Sequence, residues 1–115
     1  MRFSGTGPLA AHSLMHLIQI LLPLYDNAGE HFPALLYSDV KAELTHRFGG
    51  LTAHVRSPAE GRWVEAGQTV RDEIVIYEVM AGELDEAWWA SFGGDMRAKF
   101  RQEEIVIRAL PMKML

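Results

Sequence analysis

The clearest pattern in the chain is an alternation of apolar positions that changes period four times. HLIQILL, residues 16–22, is apolar on both faces: Ile18, Ile20 and Leu22 on one side, Leu17, Gln19 and Leu21 on the other. That reads as a central strand ended by Pro23. DNAGEH is a turn cluster, and Pro33 suits the first turn of a helix. Leu36, Val40, Leu44 and Phe48 then recur at helical spacing, and Gly49-Gly50 offers the left-handed stop. LTAHVRS returns to period two, with Leu51, Ala53 and Val55 on one face and Thr52, His54 and Arg56 on the other. After turns at PAEG and Ala66-Gly67, Val70 opens a long strand that reaches Met80. Asp85 is the expected N-cap of a second helix, with Leu84 placed to staple against Trp89. Leu84, Trp88, Phe92, Met96 and Phe100 form its stripe. Gly93-Gly94 interrupts it and predicts a bend or two short helices, at about 1 kcal/mol per glycine relative to alanine. EEIVIRAL, residues 103–110, is the last strand, with Pro111 ending it or marking its fraying.

The order is β-α-β-β-α-β, with helices at about 33–48 and 85–101 and strands at about 16–22, 51–57, 69–80 and 103–110. The simplest assembly is an α+β, ferredoxin-like sandwich: a four-stranded antiparallel sheet with two helices on one face. Its strand order, 4-1-3-2, places the two strands that are most apolar on both sides in the middle. A length of 115 residues suits a single domain, here residues 15–115. Residues 1–14 show no period and read as an N-terminal arm. Met15 offers an alternative start, which would make that arm an upstream extension.

Side-chain parity assigns the two faces of the sheet. The helix side takes Ile18, Ile20 and Leu22; Leu51, Ala53 and Val55; and Ile105, Ile107 and Ala109. In the third strand Val75, Tyr77 and Val79 are assigned inward, because the other choice would bury the Glu78 carboxylate under helices. The open face then carries Gln19, His54, Arg56, Glu78 and Arg108 among Leu17, Leu21, Ile74, Ile76, Val106 and Leu110. So apolar a face predicts a second subunit against it, and hence a homodimer.

Composition narrows the function classes. A net charge of −4 and a pI near 5.7 argue against a nucleic-acid partner, which needs a basic field. The β-α-β-β-α-β order is shared with RNA-recognition domains, but the third strand offers one aromatic, Tyr77, and on the inner face. The absence of cysteine removes thiol catalysis and thiolate metal sites, and fits a cytoplasmic, reducing setting. LMHLIQILLPL, residues 14–24, is too short to span a membrane as a helix and is followed by no cleavage pattern, so no membrane role is expected. His12 and His16 have helical ligand spacing but fall in arm and strand, and no third ligand follows; no metal and no cofactor are expected. Trp88-Trp89 reads first as core and surface packing.

Two function classes remain. In the first, the open face is an interaction or ligand-sensing surface and its polar groups are ion pairs, Glu78 with Arg108 or Arg56, and Gln19 bridging Glu78 to Arg108. In the second, the chain is a small cofactor-independent enzyme of isomerase, lyase or oxygenase type. Arg56 and Arg108 would hold a small anionic substrate, and His54 or Glu78 would move a proton.

Gly50-Leu51-Thr52, Gly61 with Trp63, Val70-Arg71-Asp72, and Phe100, Gln102 and Glu103 together resemble the motifs of a family of small bacterial proteins of unknown function. The resemblance spans residues 15–110 and implies a ferredoxin-like fold without an established activity. Many members are exported, with a signal and often a lipidated cysteine; neither is read in this sequence, so the resemblance carries no expectation of export. Read from the residues, Trp63 packs over a sheet edge or reaches a partner, and Arg71 brackets Glu103 or Asp72. The alternative is that Trp63, Arg71, Asp72 and Glu103 line a shared cleft and bind ligand.

Overall fold

The computed structural model describes residues 15–56, 64–65, 68–69 and 73–115, with backbone alone for 56, 64–65 and 68–69. Its elements are β1 (Met15–Pro23), α1 (Ala34–Phe48), β2 (Thr52–Arg56), β3 (Val64–Glu65), β4 (Gln68–Thr69), β5 (Ile74–Ala81), α2 (Glu86–Lys99) and β6 (Val106–Met112). β2, β5, β1 and β6 lie side by side in that order, each pair antiparallel. β3 and β4 form a separate two-stranded ribbon. The main sheet and the two helices have the α+β, ferredoxin-like topology that the pattern predicts.

The core sits on one side of the sheet. Ile18, Ile20 and Leu22 from β1 and Val75, Tyr77 and Val79 from β5 bury against Val40 and Leu44 of α1 and Phe92, Met96 and Phe100 at α2. The inward assignment of β5 therefore holds, and Glu78 points to the open face. Tyr37, outside the expected α1 stripe, is also buried. Its hydroxyl donates to Pro23 O at 2.6 Å, and burial, reinforced by Tyr77, pushes its pKa up to about 12.

Each helix end has a local cause. Pro33 (φ −61°) stands just before α1. Gly49 ends that helix at φ +84°, its N–H donating to Thr45 O at 2.8 Å, a conformation L-residues adopt at a cost. Asp85 caps α2, its carboxylate accepting from the Trp88 N–H at 3.0 Å.

Five expectations are corrected. α2 runs unbroken through Gly93-Gly94. Gly93 is buried, and a Cβ there would meet Ile107 Cδ1 at 3.6 Å, an ordinary van der Waals contact, so the helix packs against β6 without depending on the glycine. β6 begins at Val106 rather than at 103: α2 unwinds through Phe100 and Arg101 (φ 51°), and the Gln102 N–H donates to Arg97 O at 3.0 Å. β6 then passes through Pro111 to Met112, which is possible because it pairs with β1 alone and its outer edge needs no donor. Ala53 and Val55 share the inner face by register with Tyr77 and Val75, yet both are exposed, because β2 is an edge strand. The long strand, expected from 69, begins at Ile74, and Thr69 belongs instead to the β3–β4 ribbon; residues 57 and 70–72, expected within strands, lie outside the described set.

Candidate functional site

On the open face the register lines up one residue from each strand. Thr52 is opposite Glu78, Glu78 opposite Gln19, and Gln19 opposite Arg108. This polar row crosses the whole sheet. The next row on one side is His54, Ile76, Leu21 and Val106; on the other, Met80, Leu17 and Leu110. The arrangement follows from period two alone: Gln19, Glu78 and Arg108 have the same parity as the apolar residues two positions away.

The row is joined by hydrogen bonds. Gln19 Nε2 donates to Glu78 Oε2 at 2.7 Å, and Arg108 Nε donates to Gln19 Oε1 at 2.6 Å. His54 Nε2 reaches across the diagonal to Glu78 Oε1 at 3.1 Å. The Gln19 bond holds the Glu78 carboxyl below the usual carboxylate range; partial burial works the other way, and the bond and charge of His54 add to the lowering. Glu78 is therefore ionised at neutral pH, with a side chain about one-fifth exposed (19%) beside a half-exposed His54.

The sequence expectation of Gln19 bridging Glu78 and Arg108 is what the structure contains. Glu78 and Arg108 do not pair directly, since they stand two strands apart. Ile76, expected on the uncovered part of this face, is buried at 3% exposure. Val106, Leu110 and Met80 are its exposed apolar residues. Arg56 lies on the same face by register, but its side chain is outside the described set, as are Trp63, Arg71 and Asp72. Glu103 is exposed in the α2–β6 connection, so the suggested group of Trp63, Arg71, Asp72 and Glu103 falls largely outside the described residues. His12 lies outside it as well, and His16 Nδ1 stands 2.8 Å from Gly82 O, a donor to that carbonyl in the Nδ1–H tautomer.

One feature was not anticipated. A cleft of about 430 Å³ opens at one end of the sheet, lined by Leu17, Phe48, Gly49, Gly50, Leu51, Thr52, Glu78, Val79 and Met80. Its walls are mostly apolar, with Thr52 and Glu78 their polar side chains. The sequence signal for it was Gly49-Gly50, which bears no side chains beside Leu51 and Thr52, but those glycines read equally well as a helix stop. A second cleft, about 300 Å³, lies by Trp89, Leu84, Ile107 and Ala109. The tryptophan pair itself belongs to an aromatic cluster: Phe48 stacks on Trp89 at 5.3 Å between centroids, and Arg47 lies 4.4 Å over the Trp88 ring while pairing with Asp85 at 3.3 Å.

No model of a known protein family matches the sequence, and no curated protein matches it. Among solved structures the chain is similar to a phage SAM lyase in complex with S-methyl-5'-thioadenosine, with a TM-score of 0.60 and 16% identity over 86% of this chain and 82% of that one. At that identity the likeness concerns the fold. No helix among the described residues is long and apolar enough to cross a membrane.

Proposed function

We propose that this protein is a ligand-binding module whose site is the cleft at residues 48–52, with Glu78 as its polar anchor. The observation that carries this reading is the ionised residue Glu78 in the wall of a mostly apolar cleft of small-molecule size. Gln19 and His54 each use one Glu78 oxygen, and a carboxylate retains further acceptor capacity. The fitting ligand is neutral or cationic, with an N–H or O–H donor for Glu78 and an apolar body for Leu17, Leu51 and Met80. The anionic ligand expected from the arginines fits less well, because Arg108 is held away from Glu78 by Gln19.

The nucleoside thioether named in the similar structure has ribose hydroxyl donors and a flat base, so it is the first probe. Calorimetric titration with S-methyl-5'-thioadenosine should show saturable binding. Glu78→Gln should weaken it by more than about tenfold, the usual loss for a hydrogen bond to a charged group, and Leu51→Trp should fill the cleft and abolish it. No heat and no ligand-dependent rise in Tm would refute the reading.

A second reading, a small lyase, is favoured by the His54–Glu78 contact beside the cleft and by the activity named for the similar structure. There the pair would move a proton. Incubation with SAM and chromatography of the nucleoside products tests it. Turnover that disappears in both His54→Ala and Glu78→Gln would establish catalysis, and no turnover would leave binding alone.

A further inference from the structure

The polar row has an arrangement that its hydrogen bonds within one chain do not use. Gln19 sits on β1 with Glu78 one strand away on one side and Arg108 one strand away on the other. Charge is thus opposite at equal distances, about 4.8 Å, from β1. The apolar row beyond it is symmetric in the same way: Leu17 on β1 has Met80 on one side and Leu110 on the other. Met80 (48%) and Leu110 (42%) are among the exposed large apolar residues, and Val106 (45%) shares the edge strand β6 with Leu110.

We infer that a second copy of this chain covers the open face about a two-fold axis running along β1 over Gln19, so that the partner's Arg108 meets Glu78. Rotation about that axis exchanges the positions of β5 and β6. Glu78 then faces the partner's Arg108 twice over, Met80 faces the partner's Leu110, and Leu17 and Leu21 meet their own copies. A two-fold at right angles to the strands does the reverse: it sets Glu78 on Glu78 and Arg108 on Arg108, a repulsion at both. Either axis leaves the stacked strands aligned and about 10 Å apart, as packed sheets prefer, so the charges decide between them.

The free groups suit this contact. Arg108 spends Nε on Gln19 Oε1. Its two terminal nitrogens, for which no acceptor occurs among the described residues, form the fork that binds a carboxylate. The partner contribution therefore completes the surroundings of Glu78, which no single chain supplies. The contact uses Glu78, Leu17 and Met80, which also line the proposed cleft, so a partner and a ligand compete for them. Sedimentation without ligand tests the inference alone, and calorimetry of monomeric Leu110→Lys tests the ligand alone.

Sedimentation equilibrium of the full chain at micromolar concentration should give twice the 12.9 kDa chain mass. Glu78→Arg and Arg108→Glu should each weaken association on the order of a hundredfold, as reversal of a close charge pair does. Mixed in equal amounts, the two variants should recover a dimer, because each supplies the charge the other lacks. Leu110→Lys, which leaves the polar row unchanged, should also release monomers. Far-UV circular dichroism checks that each variant is folded. If Glu78→Arg does not fold, Arg108→Glu and Leu110→Lys decide the matter alone: folded variants that remain dimeric overturn the inference. A monomeric or trimeric native chain overturns it too, and so does a mixture of folded single variants that stays dissociated.

Discussion

Gln19 and Glu78 stand directly opposite each other on the two central strands, and the Gln19 amide donates to the Glu78 carboxylate at 2.7 Å. The same amide's oxygen accepts from Arg108 at 2.6 Å, so one neutral side chain connects the two charges of the open face. Replacing Gln19 by Leu removes both bonds and leaves a partly buried carboxylate with His54 alone. The expected loss is about 1–3 kcal/mol, the cost of an unsatisfied polar group of this kind, measured by urea denaturation.

Because Arg108 and Glu78 each bond to Gln19 and not to each other, they should couple only through that amide within one chain. In a double-mutant cycle of Glu78→Gln and Arg108→Met under dissociating, dilute conditions, the stability changes should depart from additivity by about 0.5 kcal/mol or more, and should become additive in a Gln19→Leu background. A coupling that survives Gln19→Leu would mean the guanidinium reaches the carboxylate directly.

The lowered pKa of Glu78 makes a stability statement with a definite sign. Its carboxylate is favoured more in the folded than in the unfolded chain, so its contribution is fully present above the unfolded value, about 4.3. That contribution falls away as pH drops through the depressed folded value. Glu78→Gln should therefore flatten part of the acid limb of a plot of Tm against pH below about 5, and leave the shape near neutrality unchanged. An acid limb identical to that of the native chain would contradict the assigned hydrogen bonds.

Gly93 and Gly94 lie inside a continuous helix, where alanine is the better residue. An added Cβ at either meets nothing closer than 3.5 Å. Gly93→Ala and Gly94→Ala should each stabilise the fold by up to about 1 kcal/mol. Gly93→Leu should destabilise it, because the longer side chain would run into Ile107, whose Cδ1 is 3.6 Å from the Cβ position. Thermal melts of the three variants separate these outcomes.

Asp85 serves two contacts, the cap to the Trp88 N–H at 3.0 Å and the pair with Arg47 at 3.3 Å. The cap is the larger, so Asp85→Ala should cost about 1 kcal/mol. Asp85→Asn, which keeps a capping oxygen but removes the charge, should cost much less, since an exposed ion pair contributes little. Equal losses in the two variants would assign the stability to the ion pair.

The sequence alone determined the element order, the two helical stripes, the inward face of β5 and the shared face of Gln19, Glu78 and Arg108. These are consequences of periodicity: two residues per repeat in a strand and 3.6 in a helix assign each side chain to a face before any contact is known. The cost of burying a carboxylate was enough to choose between the two faces of β5. Only the tertiary structure decided the rest. That Gly93-Gly94 leaves α2 whole depends on the burial of Phe92 and Met96 on either side of it, against elements far apart in the chain. That Pro111 stays within β6 depends on its having no strand beyond it. That Glu78 bonds to Gln19 and His54 rather than to Arg108 depends on strand register, where one residue of slip would have turned every partner to the other face. The cleft at residues 48–52 arises where a helix end, an edge strand and the central strands meet, and no local pattern in the sequence encodes an empty volume between them.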